Sequence, residues 1–273
     1  GDNEEGKMDN KEGKMDILKN CSVLIVMTTL CFLVACNKTE ESSEKLSISA
    51  VTNETLLNSS AKTDGWYMYG GSYENWRHSA LKQINRKNVS SLVPKWIFQP
   101  GIKGQLSGSP LVIDGIMYLS AAYNNLWALN AETGEPIWHY ERDLPTDLRI
   151  CCGPANRGVS VAGGKLFMAT LDAYLIAMDR ETGEVLWEVQ LEDHQKGYSG
   201  TSAPLIVDDL VITGIAGGEF GARGFIDAYE ASTGKRVWRT YSVPSTGEKG
   251  VETWAGESWK TGGSPTWAVG TYD

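Results

Sequence analysis

The sequence predicts an all-β fold of the propeller class, and three observations carry the prediction. A Thr-Gly-x-x-x-Trp unit recurs at Thr133–Trp138, Thr182–Trp187 and Thr233–Trp238, with Gly-to-Gly intervals of 49 and 51 residues. Each copy is an alternating strand, a turn at Thr-Gly and a second strand carrying Trp. Two more alternating runs precede each copy, such as Pro110-Leu-Val-Ile-Asp-Gly-Ile-Met-Tyr-Leu-Ser and Pro204-Leu-Ile-Val-Asp-Asp-Leu-Val-Ile-Thr. Four short strands per repeat of about 50 residues is the pattern of a propeller blade. No amphipathic helical period of useful length follows residue 36.

At the N-terminus, Gly1 is no initiator, and Met8 or Met15 is the expected start. The apolar run Cys21–Ala35 (CSVLIVMTTLCFLVA), flanked by Lys14 and Lys19, is too short for a comfortable membrane span and suits a signal-peptide core. It closes on Leu33-Val-Ala-Cys36, which resembles the bacterial lipobox. Residues 1–36 are therefore expected to be upstream residues and a lipoprotein signal peptide, with Cys36 lipidated. A plain secretory signal or a short buried helix are the competing readings. Residues 37–62 are polar, Ser/Thr/Glu/Lys-rich and free of aromatics, and predict a solvated tether. All ten tryptophans lie from Trp66 onward, so the folded part is expected over 63–273.

Trp96, in Leu92-Val-Pro-Lys-Trp-Ile-Phe, reads as a degenerate earlier member of the repeat. Three full repeats are fewer than the four to eight blades that close a propeller. The chain stops at Val269-Gly-Thr-Tyr-Asp273, in mid-strand on this reading, so about the first half of a longer propeller is expected.

Between the first two repeats stands Asp147-Leu-Arg-Ile-Cys151-Cys152-Gly-Pro-Ala-Asn-Arg157. Neighbouring Cα atoms lie about 3.8 Å apart, inside the roughly 4.4–6.8 Å of an ordinary disulfide. The pair is either two separately buried thiols or a strained vicinal bridge. Of five cysteines, Cys21 and Cys31 would leave with the signal and Cys36 would be lipidated. In a compartment where disulfides persist, that leaves Cys151 and Cys152 for each other.

Gly217-Gly-Glu219-Phe-Gly221-Ala-Arg-Gly224 superficially suggests a nucleotide loop. The continuation Phe225-Ile-Asp-Ala-Tyr is a strand where a dinucleotide fingerprint needs a helix. The glycines instead predict a close approach of backbone to a ligand or a tight inter-strand turn. Trp267 stands outside the Thr-Gly-x-x-x-Trp register, which separates it from the blade tryptophans. His78, His139 and His194 are scattered, with no spacing for a transition-metal site. The net charge of −9, with no basic block, excludes nucleic acid as a partner.

From Trp66 to the end the chain resembles the pyrroloquinoline quinone (PQQ)-dependent alcohol dehydrogenases of the methanol/ethanol family, which are eight-bladed propellers. The resemblance is carried by Trp66-Tyr-Met-Tyr-Gly-Gly, Leu81-Lys-Gln-Ile-Asn-Arg-Lys-Asn-Val, the Cys-Cys segment, Gly217-Gly-Glu-Phe-Gly-Ala-Arg-Gly224 and Trp259-Lys-Thr-Gly-Gly-Ser-Pro-Thr-Trp267. It implies that PQQ lies flat between a Cys151–Cys152 disulfide and the Trp267 ring. Arg157 would point at the quinone oxygens, and Thr201 would bring a hydroxyl against the cofactor. Gly217 and Gly218 would frame the site, with Glu219 a ligand of a Ca2+ or lanthanide ion. The family's Asp base and its next metal ligand, an Asn, would fall beyond Asp273, so no catalytic base is named here.

The implied activity is oxidation of a primary alcohol, with electrons passing to a periplasmic cytochrome c or similar acceptor, in a protein lipid-anchored in the periplasm. Three positions depart from the pattern: Ser107 stands where a cofactor-contacting Glu is frequent, Ala216 replaces a Ser, and Pro265 replaces a Thr for which Thr266 could substitute. A non-catalytic propeller lipoprotein acting as an outer-membrane assembly scaffold is the alternative from another class. A non-catalytic quinoprotein relative is a third reading.

Overall fold

The computed structural model describes residues 48–273. The signal core, the Leu33–Cys36 lipobox and the first part of the expected tether lie outside the described residues. Among the described residues no helix is long and apolar enough to cross a membrane.

Three four-stranded antiparallel sheets follow one another along the chain, each a simple meander. The first comprises β1 (Leu111–Ile113), β2 (Ile116–Ala121), β3 (Asn125–Asn130) and β4 (Pro136–Glu141). The second comprises β5 (Ser160–Ala162), β6 (Lys165–Ala169), β7 (Tyr174–Asp179) and β8 (Val185–Gln190). The third comprises β9 (Leu205–Val207), β10 (Leu210–Gly214), β11 (Phe225–Glu230) and β12 (Arg236–Tyr241). These are the predicted blades of a partial propeller. The second and third strands are the most apolar, and Leu166, Phe167, Met168, Leu175, Ile176 and Ala177 are wholly buried between sheets.

The repeated Trp is the fastener between blades. Trp138 donates its indole N–H to Arg180 O (3.2 Å) in the next blade, and Trp187 donates to Ala231 O (3.4 Å). Each ring lies on the glycine of the following Thr-Gly turn, so closely that a Cβ on Gly183 would fall 2.8 Å from Trp138 and one on Gly234 2.7 Å from Trp187. Both glycines also have positive φ (77° and 72°), which an L-residue adopts at a cost. The Thr-Gly pair is thus both a turn and a docking floor. Trp96 behaves in the same way without a strand around it, donating to Ala131 O (3.1 Å) and lying on Gly134. Trp238 occupies the same register, opposite Ala228 as Trp138 is opposite Ala128, and is 39 % exposed on the outer face of the third sheet.

The meander sends the turns after the first and third strands of every blade to one end and the other connections to the opposite end. The segment from residue 48 caps the first of these ends. The described part of the expected tether keeps most of its side chains exposed but is anchored to the blades at two buried residues, Val51 and Leu56. Val51 pairs with Gly163 through two backbone bonds (3.0 and 2.7 Å), and a short helix α1 (Asn53–Leu57) is capped by Thr52. Leu56 is 2 % exposed and lines, with Val161 and Ile206 of the first strands, one small cavity of about 20 Å³. Ser49 bonds Asp114 (Oγ to Oδ1, 2.9 Å), and the buried Arg180 donates to both Ser49 O (2.9 Å) and Asp114 Oδ2 (2.7 Å). Composition suggested solvation, but a few apolar side chains suffice once distant strands have built a hole to receive them.

Candidate functional site

The opposite end carries the predicted cofactor and metal residues on three connections and on the segment that follows β12. The first, between β4 and β5, holds Cys151, Cys152 and Arg157. The second, between β8 and β9, holds Thr201. The third, between β10 and β11, holds Gly217 to Glu219. Trp267 follows β12 on the return toward the same end.

The first connection is tied down by its backbone. Tyr123 N–H donates to Pro154 O (3.0 Å), Ser109 N–H to Arg157 O (3.1 Å) and Arg157 N–H to Thr201 O (3.0 Å). Asn156, fully buried, donates to Ala169 O (3.2 Å) and accepts from Gly158 N–H (2.9 Å). Between these ties the chain turns sharply: Cys152 has φ 64° and Gly153 φ 91°. Cys151 and Cys152, with Cα atoms 3.8 Å apart, are joined as a disulfide. Cys152 is exposed, so the bridge presents sulfur to the open side.

Arg157 donates from Nη1 to Thr201 O (3.3 Å), and its guanidinium carbon lies 4.6 Å from the centroid of the Trp267 ring. Arg157 and Trp267 therefore meet directly, a planar cation on an indole face. Trp267 is still 46 % exposed.

At Gly217 and Gly218 the close approaches are made by the protein itself. A Cβ on Gly217 (φ 114°) would fall 2.0 Å from Gly197 O, and one on Gly218 2.6 Å from Pro265 Cδ. No helix follows: residues Gly218–Phe220 form one 3-10 turn that leads into β11. Glu219 projects from that turn and makes no hydrogen bond or ion pair among the described residues.

Cys151, Cys152, Arg157, Thr201, Gly217, Glu219 and Trp267 line a single cleft of about 290 Å³. Gly218 is the exception, its bare face taken up by Pro265. The cleft also takes in Gln105, Ile150, Ser199 and Ala216. Ser199 and Ala216 are backbone partners (Ala216 N–H to Ser199 O, 2.8 Å), which sets Ser199 beside Ala216 in the cleft lining. Nothing in the spacing of Gln105 or Ser199 marks them, since they reach the cleft only through blade packing.

Thr266 does not take the place of the Thr replaced by Pro265. Its hydroxyl donates to Phe225 O (2.5 Å) and accepts from Ile215 N–H (3.0 Å), while its own N–H donates to Ile215 O (2.9 Å). Thr266 pins the Trp267 segment onto the third blade and points its oxygen away from the cleft. Ser107 is likewise absent from the cleft lining, where Gln105 stands.

The residues fit a flat anion accompanied by a hard cation. The walls combine a disulfide, an indole, a permanent cation and hydroxyls, and an unpaired carboxylate stands at the edge. Among the described residues that carboxylate has no cationic partner, and it offers one oxygen donor group for a Ca2+ or lanthanide ion, although no cluster of three or more acidic, His or Cys side chains stands there.

The architecture is thus a meander propeller with its cleft built from the connections at one end. Residues 66–273 match the family model for the β-propeller domain of PQQ-dependent glucose/ethanol/alcohol dehydrogenases, and the chain belongs to that family. It is 39 % identical over 243 residues to the quinoprotein alcohol dehydrogenase PedH of Pseudomonas putida, covering 82 % of this chain and 41 % of that protein. It is 40 % identical over 248 residues to a lanthanide-dependent methanol dehydrogenase of Methylacidiphilum fumariolicum, covering 82 % and 40 %. Among solved structures, a europium-containing methanol dehydrogenase superposes with TM-score 0.76 at 38 % identity, covering 81 % of this chain and 42 % of the other. The chain spans about two fifths of the length of these relatives.

Proposed function

We propose that this chain forms the first blades of a periplasmic quinoprotein that oxidises a primary alcohol. The observation that carries the reading is the convergence of the Cys151–Cys152 disulfide, Arg157, Thr201, Glu219 and Trp267 on one cleft, in a member of the PQQ family. The relatives named as lanthanide-dependent or europium-containing enzymes favour a Ca2+ or lanthanide ion beside the quinone.

PQQ, when bound with its ion, would supply the two-electron acceptor for alcohol oxidation. The protein's part is positioning and charge. Cys151–Cys152 offers a rigid apolar shelf, and Trp267 an aromatic surface able to stack on a flat ring. Arg157, always charged and forked, stabilises negative charge developing on an oxygen near it. Glu219 contributes carboxylate oxygens to the ion. Thr201 and Ser199 furnish hydroxyls for polar edges. The base that removes the alcohol proton is assigned to no residue of this chain.

In this reading Cys36 carries a lipid anchor ahead of the polar tether expected over residues 37–62, and electrons leave through a periplasmic cytochrome c or similar carrier. Relatives named methanol dehydrogenase [cytochrome c] subunit 1 favour such an acceptor. The assembly-scaffold alternative finds no support once the family is established. The intact protein, loaded with PQQ and either Ca2+ or La3+, is expected to reduce an artificial dye only when a primary alcohol is added. Dye reduction that ignores the alcohol under both metals would sink the proposal.

A further inference from the structure

The cleft's two chemically different walls, the disulfide and the carboxylate, are held by separate connections, and among the described residues the Glu219 side chain has no hydrogen-bond or ion-pair partner. Its position depends on its neighbours in the turn. One neighbour, Phe220, reaches across to the other wall: the guanidinium carbon of Arg149 lies 5.0 Å from its ring centroid. Arg149 is two residues before Cys151, and Phe220 immediately follows Glu219. We propose that Arg149 is a positioning residue, fixing the Glu219 turn relative to the Cys151–Cys152 shelf through the ring of Phe220.

Two further contacts turn this single stack into a closed triangle of segments. Asp147 accepts from Gln195 Nε2 (3.2 Å) and meets His194 Nε2 (3.3 Å), tying the disulfide connection to the turn at 194–197. That turn ends on Gly197, packed so tightly that a Cβ there would lie 2.4 Å from Phe220 Cβ. The third side is Arg149 on Phe220. With three sides closed, neither wall shifts alone without breaking a contact. A lone stack of this kind at an exposed site adds little to global stability. A four-residue turn is different, because its local opening is governed by the few contacts that hold it.

The role rests on the functional reading above, and the test separates the two. Phe220, Gly221 and Ala222 N–H groups are bonded to Gly217 O, Gly218 O and Gly217 O (2.9, 3.2 and 3.2 Å), so their hydrogen exchange reports opening of the turn. In the intact protein, Arg149→Met is expected to speed exchange at these amides about two- to fivefold, with the blade strands unchanged. Phe220→Leu should match it, the double variant should add nothing, and Arg149→Lys should retain most of the protection. Unchanged exchange in Arg149→Met, or equal acceleration in the strands, overturns the clasp. PQQ binding with Ca2+, followed by tryptophan quenching, is expected to weaken in Arg149→Met by the same two- to fivefold. Full affinity in a variant with a loosened turn overturns the positioning role. Failure of the wild type to bind PQQ instead removes the functional reading and leaves the exchange result standing.

Discussion

Replacing Gly183 by Ala tests whether the Thr-Gly turn is a docking floor or only a turn. The new methyl meets two penalties. The backbone stays at φ 77°, which costs an L-residue about 1–2 kcal/mol. The methyl carbon would also sit 2.8 Å from Cε3 and 2.9 Å from Cδ2 of Trp138, against ring atoms that cannot bend aside. Overpacking of that kind costs about 1–3 kcal/mol, so the expected loss is roughly 2–5 kcal/mol.

Gly101 supplies the control, since its φ is 70° and nothing lies within 4 Å of a Cβ built there. Gly101→Ala therefore pays only the backbone cost, about 1–2 kcal/mol, and shares the same gain from a stiffer unfolded chain. Urea unfolding of the intact protein, read by far-ultraviolet circular dichroism, gives the two losses. Their difference isolates the contact with the indole. Adding Trp138→Ala to Gly183→Ala should collapse the difference, because the obstructing ring is gone. Equal losses for Gly183→Ala and Gly101→Ala would refute the docking account.

Other consequences follow from particular contacts. Burial alone would raise the Asp114 carboxyl, but hydrogen bonds from Ser49 and the Arg180 guanidinium hold it below its ordinary value. A depressed carboxyl stabilises above its unfolded pKa, about 3.9, and loses that contribution as pH falls through the lower folded value. Protection of the Val51 and Gly163 amides against hydrogen exchange, corrected for the intrinsic rate at each pH, should thus be high at pH 7 and fall below pH ~3.9 before the sheets open; equal protection at both pH values would contradict this. Asp172, 6 % exposed at its side chain, pairs with Arg142 at 2.7 Å. Arg142 keeps Glu188 at 3.1 Å, so Asp172→Asn removes charge-assisted hydrogen bonds without stranding the cation and is expected to cost about 1.5–3 kcal/mol in urea unfolding. Thr266→Val leaves Ile215 N–H without its side-chain acceptor and should cost about 1–3 kcal/mol. It should also broaden the Trp267 side-chain resonance, and a sharp, unshifted Trp267 signal would show that the hydroxyl does not set that segment.

Much of this was legible in the residues because propeller chemistry is local. Thr-Gly followed by Trp specifies a turn, a strand and a fastener within six positions, and the repeat interval then places the next blade. The Gly217–Glu219 turn was legible for the same reason: two glycines admit the close approaches to Gly197 and Pro265. The capping segment was not. Val51 and Leu56 are isolated apolar residues among polar ones, and their partners, Gly163 and Ile206, lie more than a hundred residues away. The fate of Thr266 was equally hidden, because its acceptor is a backbone carbonyl on β11. Arg149 and Phe220 carry no shared pattern, and only the juxtaposition of two blade connections brings them together.

Equilibrium binding of PQQ to the intact protein shows whether this cleft holds the quinone between the disulfide and Trp267. Titration in Ca2+ or La3+ buffer should give saturable, stoichiometric quenching of tryptophan fluorescence. Cys151→Ala with Cys152→Ala, and separately Glu219→Gln, should each weaken binding at least tenfold while leaving the unfolding midpoint in place. Binding that is undiminished in all of these variants would contradict that placement, because the cofactor would then be held somewhere other than this cleft.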